Sequence, residues 1–145
     1  MTAAAAALAL IPARGGSKGI PGKNLQEVEG VPLVGRSVQA ALASTRVSRV
    51  VVSTDDDAIA AAARSHGAEV VRRPEHLAGD TASSESALLH ALEQLSTAGP
   101  LPPRLVFLQC TSPFTSGEQI DQVLAALDAP AVNSSFAVAP WHGFL

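Results

Sequence analysis

Short apolar runs alternating with helical patterns predict an α/β fold, an open and mostly parallel sheet covered on both faces in a three-layer α/β/α arrangement. Three observations carry that expectation. Five runs are too short for helices, at Ala6–Pro12, Arg49–Ser53, Glu69–Val71, Leu105–Leu108 and Ser134–Val138. The run Arg49-Val-Val-Val-Ser53 is β-branched and apolar toward both sides, as a strand buried on two faces requires. Between the runs lie segments with apolar residues at helical spacing, punctuated by glycine and proline.

The elements follow in order. Ala6–Pro12 reads as the first strand and leads into a glycine-rich loop that ends at Asn24. Pro32–Ser44 places Leu33, Val34, Val38, Ala41 and Leu42 on a helical stripe. After the second strand, Asp55-Asp56-Asp57 offers carboxylates to the start of an alanine-rich helix that ends at Ser65. Glu69–Val71 is a third strand, and Pro74–Thr81 a loop. Ser83–Leu95 is a helix whose buried face is expected to carry Leu88, Leu89, Leu92 and Leu95. Pro100, Pro102 and Pro103 stop any helix before the fourth strand, Leu105–Leu108. Ser116 and Gln119 form a capping box for a helix bearing Ile120, Val123, Leu124 and Leu127, and Ser134–Val138 is expected to be a last strand.

Composition narrows the function classes. The chain has 145 residues, 47% of them hydrophobic and 16% charged, which provides for a real core and excludes a disordered or collagen-like chain. A net charge of −3 argues against a broad nucleic-acid surface. The single cysteine, Cys110, excludes an internal disulfide and suits a reducing compartment. No apolar run approaches the roughly 18 residues that span a bilayer. The segment Ala3–Ile11 lacks a basic leader and runs directly into Pro12-Ala13-Arg14, so it reads as part of a buried strand rather than a signal core. A cytoplasmic protein without membrane or nucleic-acid partners is expected.

In a sheet of this kind the ligand crevice lies beyond the carboxyl ends of the strands, where strand order reverses. The loops so placed are Ala13–Asn24, Thr54–Asp57 and Gln109–Ser116. The first is the most informative. Gly15, Gly16, Gly19 and Gly22 allow the backbone to turn its N–H groups inward, and Arg14, Lys18 and Lys23 add positive charge with no acidic residue before Glu27. Such a loop suits a triphosphate. It is neither a Walker A loop, because five residues separate Gly16 from Gly22 and Lys23 is followed by Asn24, nor a G-x-G-x-x-G dinucleotide loop.

The loop Ala13–Leu25 resembles the phosphate loop of acylneuraminate cytidylyltransferases, the CMP-sialic acid synthetases. The resemblance continues in register through Val52-Ser-Thr-Asp55, Arg73-Pro74, Asp80-Thr-Ala-Ser-Ser84 and Gln109-Cys-Thr-Ser-Pro113. It implies a Rossmann-like fold of the nucleotide-diphospho-sugar transferase type. It also implies a reaction in which the anomeric hydroxyl of a nonulosonic acid attacks the α-phosphate of CTP and releases pyrophosphate. Lys23 and Arg14 match catalytic positions. Arg14, Gly15, Gly16, Ser17, Lys18, Lys23, Asn24, Arg73 and Ser84 match positions around the nucleotide, and Gln109 matches one facing the sugar acid. Mg²⁺ is the implied cofactor, with ligands on a later segment that also carries the arm of a homodimer. Residues 1–145 are accordingly expected to be a single CTP-binding domain that stops short of both, at Trp141-His-Gly-Phe-Leu145.

Several residues carry competing readings. Asp55 and Asp57 are spaced to hold Mg²⁺, although helix capping is the preferred role for the aspartate run. Arg73 is expected to face the crevice and Arg72 the solvent, because neighbours on an extended chain point apart. Asp80 either orients Arg73 or caps the following helix, and Ser84 near the helix start competes between capping and nucleotide contact. Cys110 is expected to be a quiet thiol, and His66, His76, His90 and His142 show no metal spacing. Within the resembled family Cys110 stands where proline is usual, Thr115 where bacterial members often have arginine, and Ala82 where animal members have a hydroxyl residue. Two other readings stand beside the first. One is a truncated CTP-binding module without turnover. The other is a sister cytidylyltransferase for legionaminic acid, pseudaminic acid or KDO, the last resembling this loop less because it lacks the Gly-Gly-Ser-Lys-Gly run.

Overall fold

The computed structural model describes residues 4–16 and 19–140. Strand β1 (Ala7–Pro12) runs through the middle of a four-stranded sheet with β4 (Val47–Thr54), β5 (Glu69–Arg72) and β6 (Arg104–Phe107), in the order β5-β4-β1-β6 and parallel throughout. A small antiparallel hairpin joins β2 (Glu27–Val28) to β3 (Val31–Pro32). Helices α1 (Leu33–Ala43), α2 (Asp57–Ser65), α3 (Ser84–Ser96) and α4 (Gly117–Ala126) complete the chain.

The period of two in β1 divides the core. Ala9 and Ile11 pack with Val34, Val38, Ile59 and Ala63 of α1 and α2, while Ala7 meets Ile120 and Leu124 of α4. Leu8 and Leu10 point the other way, onto Ala91 and Leu95 of α3. The sheet is therefore covered by three helices on one face and one on the other, the layered arrangement expected from the sequence. Beside α1, α4 starts so close that a Cβ on Gly117 would lie 2.5 Å from the carbonyl carbon of Ala43.

Three sequence expectations are corrected here. Ser134–Val138 is not a strand. A strand exists only with a ladder partner, and this run has none among the described residues; Phe136 and Val138 are 81% and 79% exposed. On α3 the inward set is Leu88, Ala91, Leu92 and Leu95, whereas Leu89 sits a further 100° around the helix and is 60% exposed. Leu42 at the end of α1 is likewise 52% exposed. The β2–β3 hairpin was not foreseen. Glu29 and Gly30 both take positive φ, 53° and 78°, as a two-residue type I′ turn needs, but Glu-Gly is a weaker turn signal than Asn-Gly.

The chain moves from β1 outward to β4 and β5, then crosses back to place β6 on the far side of β1. Strand order thus reverses between β1 and β6. Beyond their carboxyl ends lie Ala13–Asn24 and Gln109–Ser116, so topology puts the crevice at two of the loops chosen from sequence.

Candidate functional site

The glycine-rich loop is held closed at its base. Buried Asn24 donates its Nδ2 to the carbonyl of Arg14 at 3.0 Å, tying the two ends together. The Gly15 N–H donates to Asp55 Oδ1 at 2.9 Å, and Ala13 N–H donates to the Ser53 carbonyl at 2.9 Å. Gly15 tolerates no side chain, since a Cβ there would stand 2.9 Å from the Asp56 side chain. Of the glycines expected to turn the loop, Gly19 and Gly22 have positive φ, at 89° and 63°. Ser17 and Lys18 lie outside the described residues. Gly16 is exposed.

Arg73 comes off the end of β5 and is only 7% exposed. Its backbone N–H donates to the Thr54 carbonyl at 2.9 Å. The guanidinium donates to Ser53 Oγ at 3.3 Å, to the Ser53 carbonyl at 3.1 Å and to the Leu77 carbonyl at 3.4 Å. No carboxylate stands within ion-pair distance of it among the described residues. Burial pulls its pKa below the ordinary arginine value, Asp55 works against that pull, and the charge of Arg14 adds to it. It stays cationic at any physiological pH. Arg72 turns outward, as expected, to Asp57 at 2.9 Å and the Asp55 carbonyl at 3.1 Å.

Arg14, Lys23 and Arg73 converge on one cavity of about 270 Å³, which Asn24, Ser84, Gln109 and Cys110 also line. Arg14 is drawn to its rim by Asp80, at 2.9 Å. Asp80 therefore serves neither role expected of it: it neither orients Arg73 nor caps α3. Ser83 is the cap, accepting the Ser86 N–H at 3.0 Å, which leaves the Ser84 hydroxyl free of capping duty. Gln109 borders both this cavity and a larger hollow of about 840 Å³ between β6, α4 and Asn133–Val138.

The aspartate run divides its labour. Asp56 is the N-cap of α2, accepting the Ile59 N–H at 2.9 Å, while Asp55 accepts from Gly15 and Asp57 pairs with Arg72. Among the described residues no group of three metal-type side chains gathers, and these engagements do not fit Asp55 and Asp57 to a Mg²⁺ site of their own. Cys110 is buried, and desolvation pushes its thiol up to about 11 despite help from Ser37 and Lys23. It is the quiet thiol expected.

Sequence reasoning missed one organiser. Arg36, at a polar position of α1, donates to the carbonyls of Pro113 at 2.8 Å and Val28 at 3.1 Å, and stacks 5.4 Å from the Phe114 ring centre. It thereby fastens the hairpin and the Gln109–Ser116 loop to one helix. A lone arginine in a helical pattern gives no sign of this, because both acceptors are backbone atoms distant in sequence.

A parallel sheet with convergent cations beyond a reversal of strand order defines an α/β protein with an anion-accepting crevice. The sequence profile described as Cytidylyltransferase matches residues 8–143, and the chain belongs to that family. It is 37% identical over 136 residues to an N-acylneuraminate cytidylyltransferase of Oncorhynchus mykiss, covering 94% of this chain and 31% of that protein. It is 40% identical over 136 residues to the 3-deoxy-manno-octulosonate cytidylyltransferase of Rhodopseudomonas palustris, covering 93% of this chain and 53% of that one. A solved CMP:2-keto-3-deoxy-manno-octonic acid synthetase, complexed with CTP, superposes with a TM-score of 0.74 at 26% identity, over 88% of this chain and 49% of that one. The chain spans between a third and about half of the length of these relatives. No helix among the described residues is long and apolar enough to cross a membrane.

Proposed function

We propose that this chain is the CTP-binding part of a cytidylyltransferase that activates a nonulosonic acid of the sialic type. The observation that carries the reading is the convergence of Arg14, Lys23 and Arg73 on one small cavity, with Arg73 buried and, among the described residues, without a carboxylate at ion-pair distance. A buried guanidinium is costly unless an anion completes its surroundings, and a triphosphate brings several negative oxygens. Identities of 37% and 40% to relatives named N-acylneuraminate cytidylyltransferase support that acid as the substrate class.

In this reading the anomeric hydroxyl of the acid attacks the α-phosphorus of CTP. The new oxygen–phosphorus bond forms as the bond to the β-phosphate breaks, the hydroxyl proton passes to solvent and pyrophosphate departs. Catalysis of such a transfer is largely positioning and charge neutralisation. Lys23 sits beside the transferring phosphate, and Arg14 with Arg73 grips the outer phosphates. Gly16, Ser17 and Lys18 match nucleotide-contacting positions of the resembled family. Asn24 holds the loop shut, Ser84 offers a hydroxyl to the nucleotide, and Gln109 faces the acid from the junction of the two hollows. Gly15 contributes by position, since its N–H already serves Asp55. Arg14 exchanges Asp80 for phosphate when the nucleotide enters. Mg²⁺, when bound, would neutralise triphosphate charge, with its protein ligands expected outside these residues. The functional protein is a cytoplasmic homodimer.

Pyrophosphate release from CTP and N-acetylneuraminic acid with Mg²⁺ tests the reading. Release that depends on both substrates is the expected result. Release driven equally well by KDO moves the assignment to a sister enzyme. CTP binding without release in the protein that carries this chain reduces it to a nucleotide-binding module.

A further inference from the structure

We propose that Asp55 is a positioning residue of this site, fixing the start of the glycine-rich loop in the same frame as the buried arginine through its hydrogen bond to the Gly15 N–H. The inference rests on the nucleotide reading above and assigns a residue that reading does not use. The stretch Ser53–Asp56 contacts both the start of the glycine-rich loop and the buried arginine. Ser53 and Thr54 hold Arg73 through its guanidinium and its N–H, at 3.1 Å and 2.9 Å for the two carbonyls. One residue later, Asp55 Oδ1 accepts the Gly15 N–H at 2.9 Å. The next residue, Asp56, lies so close to Gly15 that a Cβ there would stand 2.9 Å from its side chain. Loop and arginine are therefore indexed to the end of β4 and the two residues that follow it, forty positions from the loop and about twenty from the arginine.

A carboxylate near an anion site repels the ligand. Here the geometry limits that repulsion, because the oxygen nearest the loop is engaged by the amide. The bond also removes the Gly15 N–H from the set that an anion meets. What matters in this role is an acceptor at the right place rather than a negative charge. Asparagine keeps the acceptor and alanine does not.

The experiment follows the Gly15 amide by hydrogen exchange in the 145-residue chain and titrates CTP by calorimetry, for wild type, Asp55→Ala and Asp55→Asn. The expected result is about tenfold faster exchange of Gly15 and about tenfold weaker CTP binding in Asp55→Ala. Asp55→Asn is expected to stay within about threefold of wild type in both. Should Asp55→Ala fail to fold, as far-UV circular dichroism reports, Asp55→Ser takes its place, since the shorter side chain does not reach the amide. A folded Asp55→Ala or Asp55→Ser variant that binds CTP like wild type overturns the assignment. So does an Asp55→Asn variant that binds as weakly as alanine while its Gly15 amide stays protected, because charge rather than anchoring then sets affinity. A wild-type chain that protects Gly15 but takes up no CTP overturns the nucleotide reading itself, and the positioning role with it.

Discussion

At the amino-terminal end of the sheet, Arg46 and Arg104 both close on Asp128, at 2.9 and 2.7 Å, and Arg104 adds the carbonyls of Leu124 and Leu127 at the end of α4. At the carboxyl end, Arg73 is more deeply buried yet, among the described residues, its guanidinium donates only to a hydroxyl and two backbone carbonyls. The same residue type is thus ion-paired at one end and, among the described residues, has no carboxylate at ion-pair distance at the other. Charges that hold a fold together are paired within it; charges that await a ligand are supported but not neutralised. The aspartates divide in the same way. Asp121 ties Ser44 and Thr45 to α4, whereas Asp80 reaches across the open cleft to Arg14 as an exchangeable partner.

The largest expected effect tests the cleft end. Lys23→Ala lowers turnover in the pyrophosphate-release assay by about 10²–10³ with no change in melting temperature, as removal of one preorganised charge from a transition state does. An unchanged rate, or a variant that no longer folds, breaks the distinction at once. A pair of arginine variants sharpens it. Arg73→Met weakens CTP binding by about 10–100-fold with stability held within about 1 kcal/mol, since the variant removes a buried cation that has no acidic partner. Arg104→Met does the reverse, costing about 1–2 kcal/mol of stability in a denaturant titration and leaving CTP affinity unchanged. If both variants lose stability alike, the two ends do not differ as described.

Acid titration yields a smaller effect at the paired end. Hydrogen bonds from Arg104, then Arg46, hold the Asp128 carboxyl below the usual aspartate range, and Ser44 does so first for Asp121, with Thr45 adding to it. A folded pKa below the unfolded one adds stability that is complete above the unfolded value and vanishes as pH falls through the folded value. Wild type should lose melting temperature as pH drops below about 4, and an Asp121→Asn, Asp128→Asn double variant should melt lower at pH 7 and lose less on acidification. Asp128 is solvent-exposed and Asp121 partly so, and the difference is a few degrees at most. The smallest effect concerns Cys110, whose thiol, pushed up to about 11, should resist iodoacetamide at pH 8 in the folded chain and react on unfolding.

Much of this molecule is legible in its sequence because short-range rules govern it. The alternation of β-branched runs and helical stripes is enough to find β1, β4, β5 and β6 with their helices, and the Ser116–Gln119 capping box forms as read. Adjacent-residue geometry suffices to separate Arg72 from Arg73. Failures arise where partners distant in sequence decide. Ser134–Val138 has the composition of a strand but no neighbour, and Leu89 has the right chemistry one position out of phase. Asp80 meets Arg14 across 66 positions and Asp55 meets Gly15 across 40, pairings that no local pattern encodes. The cations of the candidate site were visible as composition; what orients them was not.

The most direct test of the central claim is a calorimetric comparison of CTP with CMP on the folded chain. Cations gathered for a triphosphate predict that CTP binds at least about tenfold more tightly than CMP, and that added salt erodes the difference. Equal affinity for the two nucleotides, or no heat with either, contradicts it.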